Sequence, residues 1–347
     1  MVKELNFCER ELETPEYLMS KYPVNVLGTS IRDKSIEDTI SIFNNTDDRI
    51  LAIVGPCSMD SNVLDDGTPS VLRFAEKLKD FSEKPVIQDN IKIIMRAPVS
   101  KPRTSLGQSG LSQTNPELAY NLARRIVNMG LPLAMEILSR DDADYYENLL
   151  TLGWVGARNV EDTGIRHTAS DMRIPILFKN STNGSLVAAE NAIETARHSH
   201  IVRRMRASGK LVVKESLGNK NTGVILRGGN STTPESFAQQ FLRLREYGSP
   251  LIVDCSHGNS SAFGDGRKTA EAQLACSKAL RDLVLAGNVA IKGVMLESYL
   301  LAGSDPSGKT PGMSVTDPCI DIQRSFEELV RIALVNSKVK KCQGMHD

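Results

Sequence analysis

Short runs rich in valine, isoleucine and leucine alternate with longer amphipathic stretches along most of the chain. The short runs are RILAIVGPCS, IKIIMRAP, LPLAMEIL, GWVGARN, IPILFKN, SPLIVDCSH and VAIKGVMLES. Between them lie NPELAYNLARRIVNMG, DDADYYENLLTLG, LVAAENAIETARH, TPESFAQQFLRLREYG and RKTAEAQLACSKALRDLVLAG, with apolar residues at helical spacing. Strand followed by helix, repeated in this way, predicts parallel strands joined by crossover helices. Seven strands are clear. The eighth must lie between Asn180 and Pro250, where SHIVRRM, KLVVKES and GVILRGG offer more candidates than one barrel strand requires. The fold class predicted is α/β, a (β/α)8 TIM barrel over residues 50–347 with an inserted β-hairpin around 199–216; a doubly wound open sheet is the alternative. Residues 1–49, one helix after Tyr22 and Pro23 and a polar turn FNNTDDR, read as an N-terminal extension, a regulatory or interface arm.

Composition changes this picture little. A chain of 347 residues suits either one large barrel or two ordinary domains, and no shift in composition divides it. The 42 basic and 42 acidic residues cancel, so no global field points to nucleic acid or to an anionic membrane. The charged opening MVKELNFCERELETPEYLM lacks the apolar core of a signal peptide, and no run of about 18 apolar residues occurs; a cytoplasmic protein is expected. Six cysteines, at 8, 57, 255, 276, 319 and 342, are too scattered for a disulfide framework.

The chemistry is at the strand ends. The first run ends in Gly55, Pro56, Cys57 and Ser58, the second in Met95 and Arg96, the third in Glu136, and the fourth in Ala157 and Arg158. The fifth ends in Lys179 and Asn180, a sixth in Arg227, the seventh in Asp254 and His257, and the eighth in Glu297. One charged strand end is ordinarily a solvated cap. Eight together point to the mouth where parallel-barrel ligands bind. Cys57, His257 and Glu297, with Asp317 in the following loop SVTDPC, offer the thiolate, imidazole and carboxylates that suit Mn, Fe, Co or Zn better than Mg or Ca. Arg96, Lys101, Arg103, Arg158, Lys179 and Arg227 form a basic set, and SKPRTS adds the Thr104 hydroxyl. Six cations at one mouth imply a substrate with several negative charges, with one or two of them paired to Glu136, Asp254 or Asp317.

In order along the chain, GPCS, MR, KPRT, GAR, FKN, ILRGG, DCSHGNSS, GVMLES and SVTDPCI resemble the motifs of type I 3-deoxy-D-arabino-heptulosonate 7-phosphate (DAHP) synthases, in their larger feedback-regulated subgroup. The resemblance runs from about Asp47 to Cys319. It implies a metal-dependent barrel that condenses phosphoenolpyruvate with erythrose 4-phosphate at the entry to aromatic amino acid synthesis. It further implies that Cys57, His257, Glu297 and Asp317 hold the metal. Arg96, Lys101, Arg158, Lys179 and Arg227 would hold phosphoenolpyruvate, with the backbone of Gly156 and Ala157 near its phosphate and Glu136 among the substrate contacts. Lys101, Pro102, Arg103 and Thr104 would position the aldose phosphate. Lys101 is the candidate for proton transfer, with an activated water as its rival. A homodimer or homotetramer follows from the resemblance alone.

Two stretches depart from the family pattern. APVS stands between Arg96 and Lys101 where an aromatic and an acidic residue are usual, and GQSG stands where Gly-Trp-Lys-Gly is usual. Both flank the aldehyde site, so a different phosphorylated aldose is the alternative substrate. Arg173 replaces a small residue linked to effector binding, and RRMRASGK replaces the usual hairpin, which predicts weakened feedback by aromatic amino acids. A catalytically silent anion sensor would have lost a metal or phosphoenolpyruvate ligand, and none is lost. His167, His198, His200 and His346 read as surface or hairpin residues, Cys255 as core, and the tail NSKVKKCQGMHD as a solvated end with a weak metal possibility at Cys342 and His346.

Overall fold

The computed structural model describes residues 11–100, 109–205, 210–245, 248–286 and 291–343. The strands are β1 (Ile50–Gly55), β2 (Ile91–Arg96), β3 (Leu133–Glu136), β4 (Leu152–Val155), β5 (Ile176–Lys179), β6 (Ile201–Met205), β7 (Leu211–Glu215), β8 (Thr222–Leu226), β9 (Leu251–Asp254), β10 (Gly293–Tyr299) and β11 (Ile320–Asp321). The order β1-β2-β3-β4-β5-β8-β9-β10 is parallel throughout, and β1 also pairs with β10 from Leu51↔Gly293 to Gly55↔Glu297. That pairing closes the barrel and rules out the open sheet. β6 and β7 form the inserted antiparallel hairpin, so GVILRGG supplies the missing barrel strand.

Two apolar layers follow from the alternation of side chains along each strand. Ile53, Ile94, Ala134, Trp154, Leu177, Ile225, Ile252 and Met295 fill the barrel interior, while the outward-facing residues pack beneath the helices. The inner layer also takes Ile42 and Phe43 from the last turn of the helix Val26–Phe43, which leads into β1. This helix is capped by Asn25, whose Oδ1 accepts from the Gly28 N–H at 2.7 Å. A Cβ on Gly28 would lie 2.9 Å from the Val127 carbonyl, so glycine lets it approach the helix Pro116–Asn128.

One expectation about the carboxyl terminus fails. The stretch from Asn336 continues the helix Ile322–Gln343 rather than forming a solvated end. Asn336 is buried, and its Nδ2 donates to the carbonyls of Asp48 and Asn90 at 3.0 Å each, tying that helix to the starts of β1 and β2. Cys342 is exposed near the helix end, and His346 lies outside the described residues.

Candidate active site at the carboxyl ends of the strands

Two residues beyond the inner apolar layer, the alternation of each strand brings another residue to the barrel axis. Those positions are Gly55, Arg96, Glu136, Gly156, Lys179, Arg227, Asp254 and Glu297. The charged ring is therefore the next storey of the same stack, and its members are close to buried or fully buried. Gly156 is small for a local reason: a Cβ there would meet Glu136 Oε1 at 2.0 Å.

Cys57, Glu297 and Asp317 bring one ligand atom each within 4.8 Å of one another. The three come from the end of β1, from β10 and from the loop before β11. The Ser58 and Thr316 hydroxyls, 3.0 Å apart, link the first and last of these segments. Gln273 brackets Glu297 from behind, its Oε1 accepting from the Glu297 N–H at 2.7 Å and its Nε2 donating to the Glu297 carbonyl at 3.1 Å. His257 stands beside this group, with Nε2 3.7 Å from Glu297 Oε1.

Burial sets the charge of His257, and Asp254 sets its tautomer. Burial and then Lys179 hold the imidazole down to about 4, against the pull of Asp254. Burial alone would raise Asp254, but His257 and Lys179 bring the carboxyl well below its ordinary range. Asp254 is thus an ionised acceptor, reached by Lys179 Nζ at 2.7 Å, His257 Nδ1 at 2.8 Å and the Ser256 N–H at 2.9 Å. An acceptor-only carboxylate assigns the proton to Nδ1, which leaves the Nε2 lone pair on the side of Glu297. Neutral imidazole, thiolate and two carboxylates make a donor set that fits a divalent transition metal.

The basic residues divide sharply. Arg96 is fully buried and pairs with Glu297 Oε1 at 3.0 Å, while its Nε and Nη1 have no hydrogen-bond partner. Lys179 pairs with Asp254 at 2.7 Å, one of the pairings expected for the basic set, whereas Glu297 as the partner of Arg96 was not among them. Asp317 also pairs with Lys268 at 3.4 Å. Arg227 donates from Nη1 to the Gly228 carbonyl at 2.9 Å, and burial lowers its pKa. Arg158 lines a cleft of about 710 Å3 with Arg140, Asp162, His167 and Arg203. Lys101, Pro102, Arg103 and Thr104 lie outside the described residues, and Ala157 is half-buried immediately before the exposed Arg158.

Asp254, expected from the sequence only as a strand end and a possible partner of a cation, and Gln273, not singled out at all, complete the site. Asp254 was within reach of strand alternation, lying two residues beyond Ile252; Gln273 sits mid-helix and carries no local signal. Cys319 is buried, its thiol pushed up by burial, Glu297 and Cys57, and Cys255 packs against Cys276. His167 stacks on His200 at 4.3 Å, and His198 pairs with Glu194 at 2.8 Å, both by the hairpin. A cleft of about 460 Å3 at the other end of the barrel, lined by Ile50, Val284 and Val335, holds none of the strand-end residues.

A profile of the DAHP synthetase I family matches residues 29–328. The phospho-2-dehydro-3-deoxyheptonate aldolase of Corynebacterium glutamicum is 31% identical, with 93% of this chain and 91% of that protein covered. The Tyr-sensitive phospho-2-dehydro-3-deoxyheptonate aldolase of Escherichia coli K12 is 32% identical, with 90% and 89% covered. In three dimensions the phospho-2-dehydro-3-deoxyheptonate aldolase of Francisella tularensis superposes with a TM-score of 0.82 at 32% identity, over 95% of this chain and 98% of that one. With motifs, barrel and near full-length similarity in agreement, the chain belongs to the DAHP synthetase I family.

Proposed function

We propose that the protein condenses phosphoenolpyruvate with erythrose 4-phosphate to give DAHP and inorganic phosphate. The observation that carries this reading is Arg96, a fully buried guanidinium with two unpartnered donors beside a thiolate and carboxylate ligand set. Leaving such donors empty is costly, and an anionic substrate oxygen would satisfy them. Lys179 and Arg227 extend the cationic surface to a second group of the same substrate, and Arg158 to its phosphate.

In the reaction, C3 of phosphoenolpyruvate attacks the aldehyde carbon of the aldose, water adds at C2, and phosphate leaves with cleavage of the C–O bond. A divalent ion held by Cys57, His257, Glu297 and Asp317 would supply Lewis acidity toward the aldehyde oxygen. Arg96, Lys179 and Arg227 bind and orient phosphoenolpyruvate through its anionic groups, and their charge stabilises the phosphate as it departs. Burial keeps His257 neutral, and Asp254 fixes its tautomer and orientation. Lys101 moves the proton, and Lys101, Pro102, Arg103 and Thr104 hold the aldose phosphate, by motif.

The test is phosphoenolpyruvate consumption with erythrose 4-phosphate by metal-stripped enzyme resupplied with Mn, Fe, Co or Zn. Turnover should depend on metal and vanish in Cys57→Ala. Metal-independent turnover, or none with any aldose phosphate, would sink the proposal. Preference for another aldose phosphate would favour the second reading, which rests on APVS and GQSG: Ala97, Val99 and Ser100 are buried, and Ser100 hydrogen-bonds Asp142 at 2.5 Å.

The same reading places the enzyme in the cytoplasm as a homodimer or homotetramer. Among the described residues no helix is long and apolar enough to cross a membrane. Weakened feedback is proposed because Arg173, an exposed cation whose N–H donates to Glu147 Oε1 at 2.6 Å, occupies the effector position. Unchanged inhibition by micromolar phenylalanine, tyrosine or tryptophan would refute it.

A further inference from the structure

Trp154 is the one tryptophan of the chain, and it stands in the innermost layer of the barrel among aliphatic residues. It is fully buried and lies in register with Glu136 on one side and Leu177 on the other. Directly above it are the two innermost cations of the mouth. The Arg96 guanidinium carbon is 5.5 Å from the indole centroid, and Lys179 Nζ is 6.0 Å away. The indole Nε1–H has no hydrogen-bond partner, although it is buried.

A packing role alone explains this poorly. An aliphatic side chain would fill the layer without burying an unpaired N–H, which costs free energy. The electron-rich indole face, by contrast, attracts cations, and does so most strongly where water is excluded. Each cation is also held from one side by a carboxylate, Arg96 by Glu297 at 3.0 Å and Lys179 by Asp254 at 2.7 Å. Without an attraction from below, those carboxylates would draw the two cations toward the metal side of the mouth. The indole beneath opposes that displacement.

We propose that Trp154 is a positioning residue for phosphoenolpyruvate, its indole face fixing Arg96 and Lys179 as a pair on which the substrate anion docks. The inference rests on the proposed function. It predicts an effect confined to one substrate, because the aldose phosphate is assigned to the segment around Lys101 to Thr104.

The experiment uses the metal-loaded full chain in three forms: wild type, Trp154→Phe and Trp154→Met. Phenylalanine keeps an aromatic face, and methionine adapts its shape to the layer without one. In Trp154→Met, KM for phosphoenolpyruvate should rise about tenfold or more, as expected for a desolvated cation–π contact. KM for the aldose phosphate should stay within about twofold. Trp154→Phe should recover most of the loss. A merely structural role would instead lower kcat and stability together or raise both KM values. In wild type, where the emission comes from Trp154 alone, saturation with phosphoenolpyruvate should shift or quench the fluorescence even if both variants fold poorly.

An unchanged KM for phosphoenolpyruvate in Trp154→Met would overturn the proposal. So would a phenylalanine variant no better than methionine, or silent fluorescence at a concentration that calorimetry shows to be saturating. If wild type neither binds nor consumes phosphoenolpyruvate, the proposed function falls first and this inference with it.

Discussion

Lys179–Asp254 in the barrel mouth and Lys214–Asp171, which joins the inserted hairpin to the end of the helix Thr163–Asp171, are ion pairs of nearly equal length, 2.7 and 2.5 Å. Their surroundings differ. Neither side chain of the first pair is more than 4% exposed, whereas Lys214 is 40% and Asp171 14% exposed. The mouth pair also shares its carboxylate with His257, beside the metal ligand set, while the hairpin pair shares its carboxylate with Arg140 at 3.1 Å. Contact distance therefore says little about what a pair does. In the mouth a charge that loses its partner stays buried, and on the hairpin water replaces the partner.

The largest effect is expected from Asp254→Asn. It removes the charge that compensates Lys179 and the acceptor that orients His257, without changing the shape of the side chain. Removing one partner of a buried pair costs about 3–5 kcal/mol, and weakening the carboxylate behind a metal-ligating histidine lowers metal affinity about 10- to 100-fold. Urea unfolding of the metal-free protein and metal titration of the same variant read the two effects separately. A loss of stability under about 1 kcal/mol would mean that the mouth pair behaves like a surface pair.

A second effect concerns a buried carboxyl with no cationic partner among the described residues. Asp60 follows Cys57 by three residues, and burial pushes its carboxyl up to about 6, against the opposing Asn62 N–H. Its ordinary value is 3.8, so between these values the folded state holds a proton that the unfolded chain has lost. The stabilisation is complete below 3.8 and is lost as pH rises through about 6, a change of about 3 kcal/mol. His257, depressed to about 4, has the opposite sign and destabilises the fold as pH falls from 6.5. Comparing Asp60→Asn with wild type cancels the histidine contribution. The variant should be more stable by up to about 3 kcal/mol at pH 8 and nearly equal at pH 4. A difference in unfolding free energy that does not vary with pH would show that Asp60 carries no such linkage.

The same contrast explains what could be read from the sequence. Period-two alternation is local, so the runs ending in Arg96, Glu136, Lys179, Asp254 and Glu297 already specify both the inner layer and the ring above it. Choosing the barrel strand among three candidates near residue 200 was harder, because β6, β7 and β8 have similar composition and only GVIL is wholly buried on both faces. Pairings across the barrel were not legible. Arg96 meets Glu297 over 201 positions of chain, and nothing local tells an arginine whether its carboxylate partner also belongs to a metal set. Trp154 lies between the two cases: alternation from Gly156 places it inside, but its contacts with β2 and β5 depend on the twist and closure of the sheet.

The smallest effect should come from Lys214→Met on the hairpin. Here the lysine gives up a 2.5 Å contact, yet Asp171 keeps Arg140, and water can enter the space left by the 40% exposed lysine. The expected change in stability is about 0.2–1 kcal/mol, shrinking as salt is raised because exposed charges are screened. Phosphoenolpyruvate kinetics should be unaltered, since the hairpin supplies no residue to the charged ring. Urea unfolding at low and high salt checks the first expectation and steady-state kinetics the second. A loss comparable to that of Asp254→Asn, insensitive to salt, would mean that the hairpin pair is buried in the functional protein, and would make this face part of a subunit interface rather than a solvated arm.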